Sequence, residues 1–242
     1  MKISIIGLGW YGSALSQLLS NQYEVLGTTR SPSKLESLSA FGTVQLLDES
    51  NAPSGRLLDS EAVVLNIPPF AQQLEWFKSW EWNSNTHLVF ISSTSVYGDL
   101  QGIVTEETEP SPNTENGKIL LEEEKWVKSF PHYTIIRFGG LIGEDRHPGK
   151  YLSGKSDLSN GNSPVNLTHL EDCIRFTQLV LEKKIVNQTF NLVSPNHPPR
   201  KEYYKGYCKN NNLPLPHFVD SEDTGKIIAH EKVSKIYLSR NV

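Results

Sequence analysis

The sequence predicts a doubly wound α/β fold, with helices on both faces of a parallel β-sheet and a small C-terminal lobe. Short apolar runs alternate with helical patterns along most of the 242 residues, as they do in parallel βαβ units. Runs such as "AVVLNI" and "HLVFI" are apolar almost throughout, as expected of strands buried on both faces. A glycine-rich turn follows the first of these runs.

Seven runs have the length and composition of strands. They are 2–6, 24–28, 44–47, 62–67, 88–91, 134–138 and 189–193. Apolar residues at helical spacing predict helices in the gaps. The three clearest stripes are Ala14, Leu15, Leu18 and Leu19; Ile119, Leu120, Trp126, Val127 and Phe130; and Leu170, Cys173, Ile174, Thr177, Val180 and Leu181. Thr168 and Glu171 predict a capping box at the start of the third helix.

Changes in composition suggest how the chain is divided. Residues 1–145 are expected to form the main core, which 166–195 complete. The polar, Gly/Ser/Asn-rich stretch "RHPGKYLSGKSDLSNGNSP" predicts a loop. With 196–242, the segment 146–165 is expected to form a small substrate lobe.

Composition excludes several classes of function. The formal net charge of −4, without a basic cluster, gives no reason to expect nucleic acid or an anionic membrane as partner. Cys173 and Cys208 lack metal-ligand spacing, and the seven histidines show no paired ligand spacing, so no metal is expected. The chain has neither a signal-peptide pattern nor an apolar run long enough to span a bilayer, so a cytoplasmic location is expected. The chain lacks the G-x-S-x-G elbow that would indicate a hydrolase.

The first glycine turn predicts a dinucleotide site. Gly7, Gly9 and Gly12 form G-x-G-x-x-G between a predicted strand and a predicted helix, the context in which this short motif is informative. The first glycine permits a tight turn, the second lets a pyrophosphate approach the backbone, and the third allows close helix–strand packing. Together with Trp10 and Tyr11, these residues would bind the pyrophosphate at the helix N-terminus.

The end of the second strand favours NADP over NAD. NAD-selective sites usually place a carboxylate there for the ribose 2′-hydroxyl, but this chain reads "VLGTTRSPSK". This stretch instead offers the hydroxyls of Thr28, Thr29 and Ser31 and the guanidinium of Arg30, which can pair with a 2′-phosphate. The alternative is that Arg30 is a solvated surface charge. Lys34 either adds to the same pocket or faces water.

Three later stretches carry a family resemblance. They are "VFISSTSVYGD", "IIRFGGLIGEDR" and "VNLTHLEDC". Together with the glycine turn, they closely resemble the extended and atypical branches of the short-chain dehydrogenase/reductase superfamily, and among these the small NAD-dependent epimerase/dehydratase-like proteins. The resemblance implies a Rossmann core with a small C-terminal substrate lobe.

The resemblance also implies site residues. Ser93 would hydrogen-bond the reacting oxygen of the substrate, although a serine at a strand end can equally satisfy backbone groups. Lys118 stands where the family lysine binds the nicotinamide ribose and lowers the pKa of a tyrosine four residues earlier. That earlier position is Thr114, whose hydroxyl is far less acidic than a phenol.

This departure leaves three alternatives for the proton transfer. Tyr97 can serve as a surrogate acid. A carboxylate of the following loop, Asp99, Glu106 or Glu107, can take the role. In the third alternative no proton is transferred, and the protein binds NADP without reducing anything.

Five other positions bear on function. Thr94 and Ser95 stand where related sugar-nucleotide dehydratases carry adjacent Asp and Glu, which weakens a dehydratase assignment. Pro68 of "NIPPF" ends a strand and can touch the adenosine half of the cofactor. Arg137 lies either beside the nicotinamide or in a buried ion pair. His169, at a helix start, is assigned a structural role.

Two hypotheses follow. The first is an NADP-dependent oxidoreductase or epimerase that acts on a small carbonyl or hydroxyl compound, with sugar derivatives among the candidates. The second is a nucleotide-binding sensor or regulatory protein without turnover. A monomer or homodimer is expected. The charged run 122–124 belongs either to a dimer interface or to a solvated helix face.

Overall fold

The computed structural model describes residues 1–220 and 224–242. The strands are β1 (Lys2–Ile6), β2 (Glu24–Thr29), β3 (Thr43–Leu46), β4 (Ala62–Leu65), β5 (His87–Ser93), β6 (Gly102–Val104), β7 (Tyr133–Phe138), β8 (Gly140–Ile142), β9 (Leu167–His169), β10 (Gln188–Leu192) and β11 (Lys226–Ile228). The helices are α1 (Trp10–Leu19), α2 (Leu35–Ser39), α3 (Gly55–Leu58), α4 (Gln73–Lys78), α5 (Glu115–Val127), α6 (Pro148–Leu152), α7 (Leu170–Glu182), α8 (Arg200–Asn210) and α9 (Glu231–Ser234). Short 3-10 turns cover Pro32–Lys34 and Thr94–Tyr97.

Seven of the strands form one sheet in the order β10-β7-β5-β4-β1-β2-β3. The pairs from β3 through β5 are parallel, which confirms the predicted doubly wound α/β class. The chain winds outward from β1 in one direction to β3 and in the other through β4. Ligands of such sheets bind outside the carboxyl ends of the strands at this switch point, which places the expected site after β1 and β4.

The strand prediction was accurate where burial is strongest. All seven predicted runs correspond to strands of this sheet, with ends that differ by at most two residues. Sequence analysis missed β6, β8, β9 and β11, which have three residues each. A three-residue strand is too short to establish a period of two, so its composition does not distinguish it from a loop.

The chain divides into two compact units. The first comprises Met1–Ser93, Thr114–Arg137 and Cys173–Phe190. Its core includes side chains of β1, β4 and β5 that have no exposed surface, among them Ile5, Val64 and Leu88. Helix packing on both sides explains why these strands are apolar at successive positions.

The second unit comprises Thr94–Asn113, Phe138–Asp172 and Asn191–Val242. Within it β6 pairs with β11 and β8 pairs with β9, both in parallel. Ile142, Val165, Leu167 and Tyr204 form a small buried cluster. Four segments that sequence analysis assigned to the main core cluster with this unit: 94–113, 138–145, 166–172 and 191–195.

Two local predictions were wrong. No capping box forms, because Thr168 belongs to β9, where its hydroxyl accepts from Gly139 N and donates to Leu192 O. The Nδ1 atom of His169 instead accepts from Glu171 N at 3.2 Å, which supports a structural role for this histidine. The predicted loop 146–164 contains the short helix α6, which begins at Pro148 after His147 caps it.

Three further features concern the cysteines, the helices and the metal-ligating side chains. Cys173 and Cys208 are both buried and unbridged, as expected of packing residues. Across 1–220 and 224–242, no helix is long and apolar enough to cross a membrane. The same ranges contain no group of three or more His, Cys, Asp or Glu side chains placed to hold a metal ion.

Candidate functional site

The turn after β1 requires glycine at two positions. Gly7 has a φ of +109°, and a Cβ there would lie 2.1 Å from the carbonyl oxygen of Asn66. A Cβ on Gly12 would lie 2.2 Å from the carbonyl oxygen of Gly7. Both neighbours are backbone atoms, which cannot rotate away. Packing at the switch point therefore explains these two glycines without any ligand.

Gly9 differs from the other two glycines. A Cβ added to it would meet no atom within 4 Å, and the residue is exposed at the N-cap position of α1. The fold itself therefore does not require glycine at this position. An open backbone at a helix N-terminus is what a pyrophosphate needs, because side chains would keep it from the N–H groups of the first turn. The residues present thus fit a dinucleotide phosphate.

Two side chains hold the turn in place. The buried Thr28, on β2, accepts a hydrogen bond from Gly7 N at 3.0 Å, and its carbonyl accepts from Leu8 N at 2.7 Å. Asn66, which follows β4, donates its Nδ2 to the carbonyl of Gly7 at 3.1 Å. Sequence analysis grouped Thr28 with the ribose-facing hydroxyls, but the structure uses it in the turn. Neither supporting role was predicted, because each bridges residues far apart in the chain.

The other residues of the predicted phosphate site lie in the first turn of α1. The side chain of Tyr11 is buried, and its hydroxyl donates to the Thr177 hydroxyl at 2.7 Å. Burial raises the pKa of Tyr11 well above its ordinary value. Its side chain is therefore a packing group, so any contribution to a phosphate site comes from its backbone. Trp10 is half-buried beside it.

The end of β2 has no acidic side chain. Thr29 is buried, and its hydroxyl accepts from Ser31 N at 3.2 Å. The hydroxyl of Ser31 lies 2.9 Å from that of Ser33, in the turn leading to Lys34. Arg30 and Lys34 are exposed, and within the described ranges neither forms an ion pair. Two solvated cations therefore lie near the predicted 2′-phosphate position.

The loop after β4 lies beside the glycine turn at the switch point. The Asn66 backbone N–H donates to the Ile6 carbonyl at 2.9 Å, which extends the strand pairing by one residue. Pro68 is exposed, and its carbonyl accepts from Gln73 Nε2 at 3.3 Å. This hydrogen bond fixes the backbone where the adenosine contact is predicted.

Two residues of the predicted catalytic set lie in the first unit. Ser93 is the last residue of β5, at the carboxyl edge of the sheet, and is half-buried. Lys118 lies in the first turns of α5, where its Nζ is 2.6 Å from Glu115 Oε1. The Lys118 side chain is 57% exposed, so this ion pair is a surface contact. Such pairs contribute less than about 1 kcal/mol and exchange readily with other partners.

Thr114 has a local role that explains its presence. It is the N-cap of α5, and its hydroxyl accepts from Gly117 N at 3.1 Å. An N-cap threonine satisfies an otherwise unpaired helix donor. The hydroxyl that replaces the family tyrosine is thus an acceptor at the helix start.

The Tyr97 side chain is buried and hydrogen-bonded within the second unit. Its side chain has no exposed surface, and its hydroxyl lies 2.9 Å from the Thr105 carbonyl oxygen and 3.0 Å from Asn191 Oδ1. The backbone N–H of Asn191 in turn donates to Glu106 Oε1 at 2.8 Å. Tyr97 and Glu106 therefore support this unit, and neither is placed as a solvent-facing acid.

The remaining loop carboxylates differ in their surroundings. Asp99 accepts a short hydrogen bond from Asn113 Nδ2. Glu107 has an exposed side chain. Of the three carboxylates proposed from the sequence, only Glu107 is without a hydrogen bond from a side chain or backbone group of the described residues.

Arg137 lies in a buried ion pair, one of the two predicted alternatives. Its Nε and terminal nitrogen contact Glu124 Oε1 and Oε2 at 2.9 and 2.5 Å. Ser92 donates to the same carboxylate at 2.6 Å. Both charged side chains are at most 3% exposed. The pair joins β7 to α5. Because Ser92, the sequence neighbour of Ser93, binds the same carboxylate, the pair also fixes the strand end that carries Ser93.

The acidic run on α5 is not a solvated face. Only Glu122 is exposed, and it pairs with Lys125 at 2.7 Å. Glu123 has no exposed surface, and neither of its carboxylate oxygens has a hydrogen-bond partner in the described part of the chain. Burial raises the pKa of Glu123 from 4.5 to about 8. Glu123 is therefore largely protonated at neutral pH.

Comparison with known proteins identifies the family of this chain. No family model matches the sequence. Protein YeeZ of Escherichia coli K12 is 33% identical over 249 aligned positions, which cover 93% of this chain and 89% of YeeZ. The chain belongs to the YeeZ family.

Solved structures show the fold that this YeeZ-family chain shares. A functionally unknown conserved protein from Silicibacter pomeroyi matches with a TM-score of 0.80 at 19% identity, over 97% of this chain and 91% of that one. UDP-glucuronic acid 4-epimerase from Bacillus cereus, solved with NAD, matches with a TM-score of 0.76 at 22% identity, over 97% and 90%. The chain therefore has the Rossmann-type fold of NAD-dependent epimerase/dehydratase-like proteins, as the resemblance implied.

Proposed function

We propose that this YeeZ-family protein binds NADP(H) at the glycine turn and acts as an oxidoreductase or epimerase-like enzyme on a small carbonyl or hydroxyl compound. The observation that carries the proposal is the open side of Gly9. Packing fixes Gly7 and Gly12, whereas the space beside Gly9 serves no purpose within the fold. A phosphate group approaching the N-terminus of α1 would use that space.

The preference for NADP rests on the end of β2. A carboxylate there would repel a 2′-phosphate, whereas Arg30 and Lys34 are exposed cations able to pair with it. The B. cereus epimerase was solved with NAD, so the shared fold does not decide the preference. Arg30→Ala should weaken NADPH binding about tenfold, which corresponds to ~1.4 kcal/mol, and should leave NADH binding unchanged.

Lys128→Ala is the matched control, since it removes an exposed cation that lies outside the segment after β2. Trp10 lies in the glycine turn, so its fluorescence provides a binding signal. Equal affinity of the wild type for NADPH and NADH, with no effect of Arg30→Ala, would contradict the NADP preference.

Ser93 and Lys118 would supply the catalytic contacts. When bound, the nicotinamide would accept or deliver a hydride. Ser93, at the carboxyl edge of β5, would hydrogen-bond the reacting oxygen of the substrate. Lys118 would exchange its surface pair with Glu115 for the hydroxyls of the nicotinamide ribose. Because an exposed i,i+3 ion pair is weak, breaking it costs little free energy.

A second candidate function is a nucleotide-binding sensor or regulatory protein without turnover. Two observations favour it. The hydroxyl of Thr114 caps α5, and the hydroxyl of Tyr97 is committed to the Thr105 carbonyl in a buried network. Neither is placed to exchange a proton with a substrate.

Lysine replacements on α5 separate the two candidates. Lys118→Met removes the proposed ribose contact, and Lys125→Met removes an equally exposed lysine from the same kind of i,i+3 pair. NADPH oxidation would be followed with a panel of small aldehydes and ketones. Sugar nucleotides, UDP-glucuronic acid included, would be incubated with NADP⁺ and their products analysed, because epimerisation consumes no net cofactor. The enzyme proposal expects turnover that Lys118→Met abolishes and Lys125→Met preserves. Tight NADPH binding without turnover across the panel would favour the sensor. Turnover unaffected by Lys118→Met would refute the role of this lysine.

A further inference from the structure

A cavity of ≈ 550 Å³ lies at the amino edge of the main sheet. Ala62 and His87, the first residues of β4 and β5, line it as register neighbours. Leu181 and Val186 contribute apolar walls. All the lining residues belong to the first unit. The glycine turn follows the carboxyl end of β1, at the opposite edge of the sheet, so the cavity is distinct from the proposed nucleotide site.

Hydrogen bonding fixes the tautomer of His87. Its Nε2 lies 2.8 Å from the Thr134 hydroxyl oxygen. That hydroxyl donates its single proton to the carbonyl of Ile185, which can only accept. Thr134 must therefore accept from His87, so Nε2 carries the proton and Nδ1 carries a lone pair.

The lone pair on Nδ1 lacks a donor. His87 is 8% exposed, and its Nδ1 has no hydrogen-bond partner among residues 1–220 and 224–242. Burial, with His132 nearby, lowers the pKa of His87 to about 4, so the imidazole stays neutral near pH 7. This acceptor is accessible from the cavity, so a donor from an occupant would satisfy it.

The rest of the lining indicates the chemistry of that occupant. Asp59 and Glu61 add carboxylate acceptors, and Lys184 offsets part of their charge. Asn83 already donates to Asp59 at 2.6 Å. Glu61 Oε1 accepts from Lys2 N at 3.3 Å and lies 4.0 Å from the Met1 ammonium, which also lines the cavity. Among the described residues, the second oxygens of Asp59 and Glu61 remain as acceptors beside His87 Nδ1, and the apolar walls suit a flat ring. The volume lies in the range of small-molecule sites.

We propose that this cavity binds a neutral planar heterocycle with several N–H donors, such as a nucleobase with a guanine-type edge, and that His87 Nδ1 accepts one of its hydrogen bonds. The carboxylates at the rim would accept the remaining donors. This site does not depend on the proposed nucleotide function.

Guanosine and cytidine are the probes, and caffeine is the comparator because it is planar but has no N–H donor. Each would be titrated into the full chain with NADPH in excess, following the imidazole C–H resonances of His87 by NMR. We expect guanosine or cytidine to bind with a dissociation constant below about 1 mM, as for a small ligand with few polar contacts, and caffeine not to bind. Failure of both nucleosides, or equal binding of caffeine, would overturn the proposal.

His87→Gln tests the acceptor directly. The glutamine amide can replace Nε2–H as donor to Thr134, but it leaves no acceptor where Nδ1 was. We expect nucleoside affinity to fall at least about tenfold, whereas His132→Gln, at an exposed histidine of the same cavity, should change it less than about twofold. Unchanged affinity in folded His87→Gln would refute the assignment.

A blocking variant keeps the test decisive if His87→Gln does not fold. Asn85 is exposed at the rim of the cavity, so Asn85→Trp should close the opening without altering the core. Nucleoside binding should be lost while NADPH binding stays as in the wild type. Retained nucleoside binding in this variant would place the nucleoside elsewhere and refute the site.

Discussion

Replacing Glu123 by glutamine should stabilise the protein, and the gain should increase with pH. Glu123 has no exposed surface and both oxygens lack partners in the described chain, so the ionised form loses its hydration without compensation. Burial therefore raises the pKa of this carboxyl to about 8. Glutamine has nearly the shape of the protonated side chain and cannot ionise.

The size of the effect follows from the two pKa values. Between about pH 4.5 and pH 8 the folded state holds a proton that the unfolded state has lost, so the free energy of unfolding falls as the pH rises. The difference between the folded and unfolded pKa values corresponds to a loss of about 5 kcal/mol in the free energy of unfolding, and local relaxation reduces this loss. We expect Glu123→Gln to gain about 2–5 kcal/mol near pH 9 and close to zero near pH 5.

Urea unfolding of both proteins at the two pH values measures this difference. Glu122→Gln is the control, because Glu122 is the exposed neighbour in a surface pair and should change stability by less than about 1 kcal/mol at either pH. A gain of the same size at both pH values, or a loss that grows with pH, would refute a buried, proton-holding Glu123.

Three further substitutions test the contacts around the candidate site. Glu124→Gln should destabilise the protein by about 3–5 kcal/mol in urea unfolding, because it leaves the Arg137 guanidinium buried without its counter-charge; a loss below about 1 kcal/mol would contradict this. Tyr97→Phe should cost about 1–2 kcal/mol by removing the bond to the Thr105 carbonyl, with NADPH affinity unchanged in a titration; a large change in affinity would show that Tyr97 acts in the site. Gly12→Ala should lower stability by about 3 kcal/mol, since its Cβ would overlap a backbone oxygen; an unchanged melting temperature would refute the packing argument.

The sequence predicted the parts of the site that depend on local patterns. The glycine turn was found from spacing within one strand–helix connection. The strands that end at Thr29 and Ser93 were found from short apolar runs, although the predicted ends fell one and two residues earlier. Arg137 was left between two roles, because its partner Glu124 comes from another element and the pairing is a tertiary contact. The supports of the turn, Thr28 and Asn66, were missed for the same reason.

Glu123 and Glu124 could have been recognised as buried. They lie three and four positions after Leu120, with Val127 at the seventh, which is the spacing of one buried helix face. Three consecutive glutamates concealed this pattern by suggesting a solvated surface. For Thr168 the sequence suggested a helix cap that does not form, because the residues with a favourable capping sequence belong in part to a three-residue strand.

We propose that a nucleotide phosphate, and not the packing of the fold, requires glycine at position 9. Calorimetric titration of NADPH into Gly9→Val, with the wild type alongside, tests it most directly. A valine Cβ would meet no atom within 4 Å, so the variant should fold, with a loss of about 1 kcal/mol or less from the weaker N-cap. We expect the NADPH affinity of the variant to fall at least about tenfold, which is a loss of ~1.4 kcal/mol in binding free energy. A folded Gly9→Val that binds NADPH as tightly as the wild type would contradict the account.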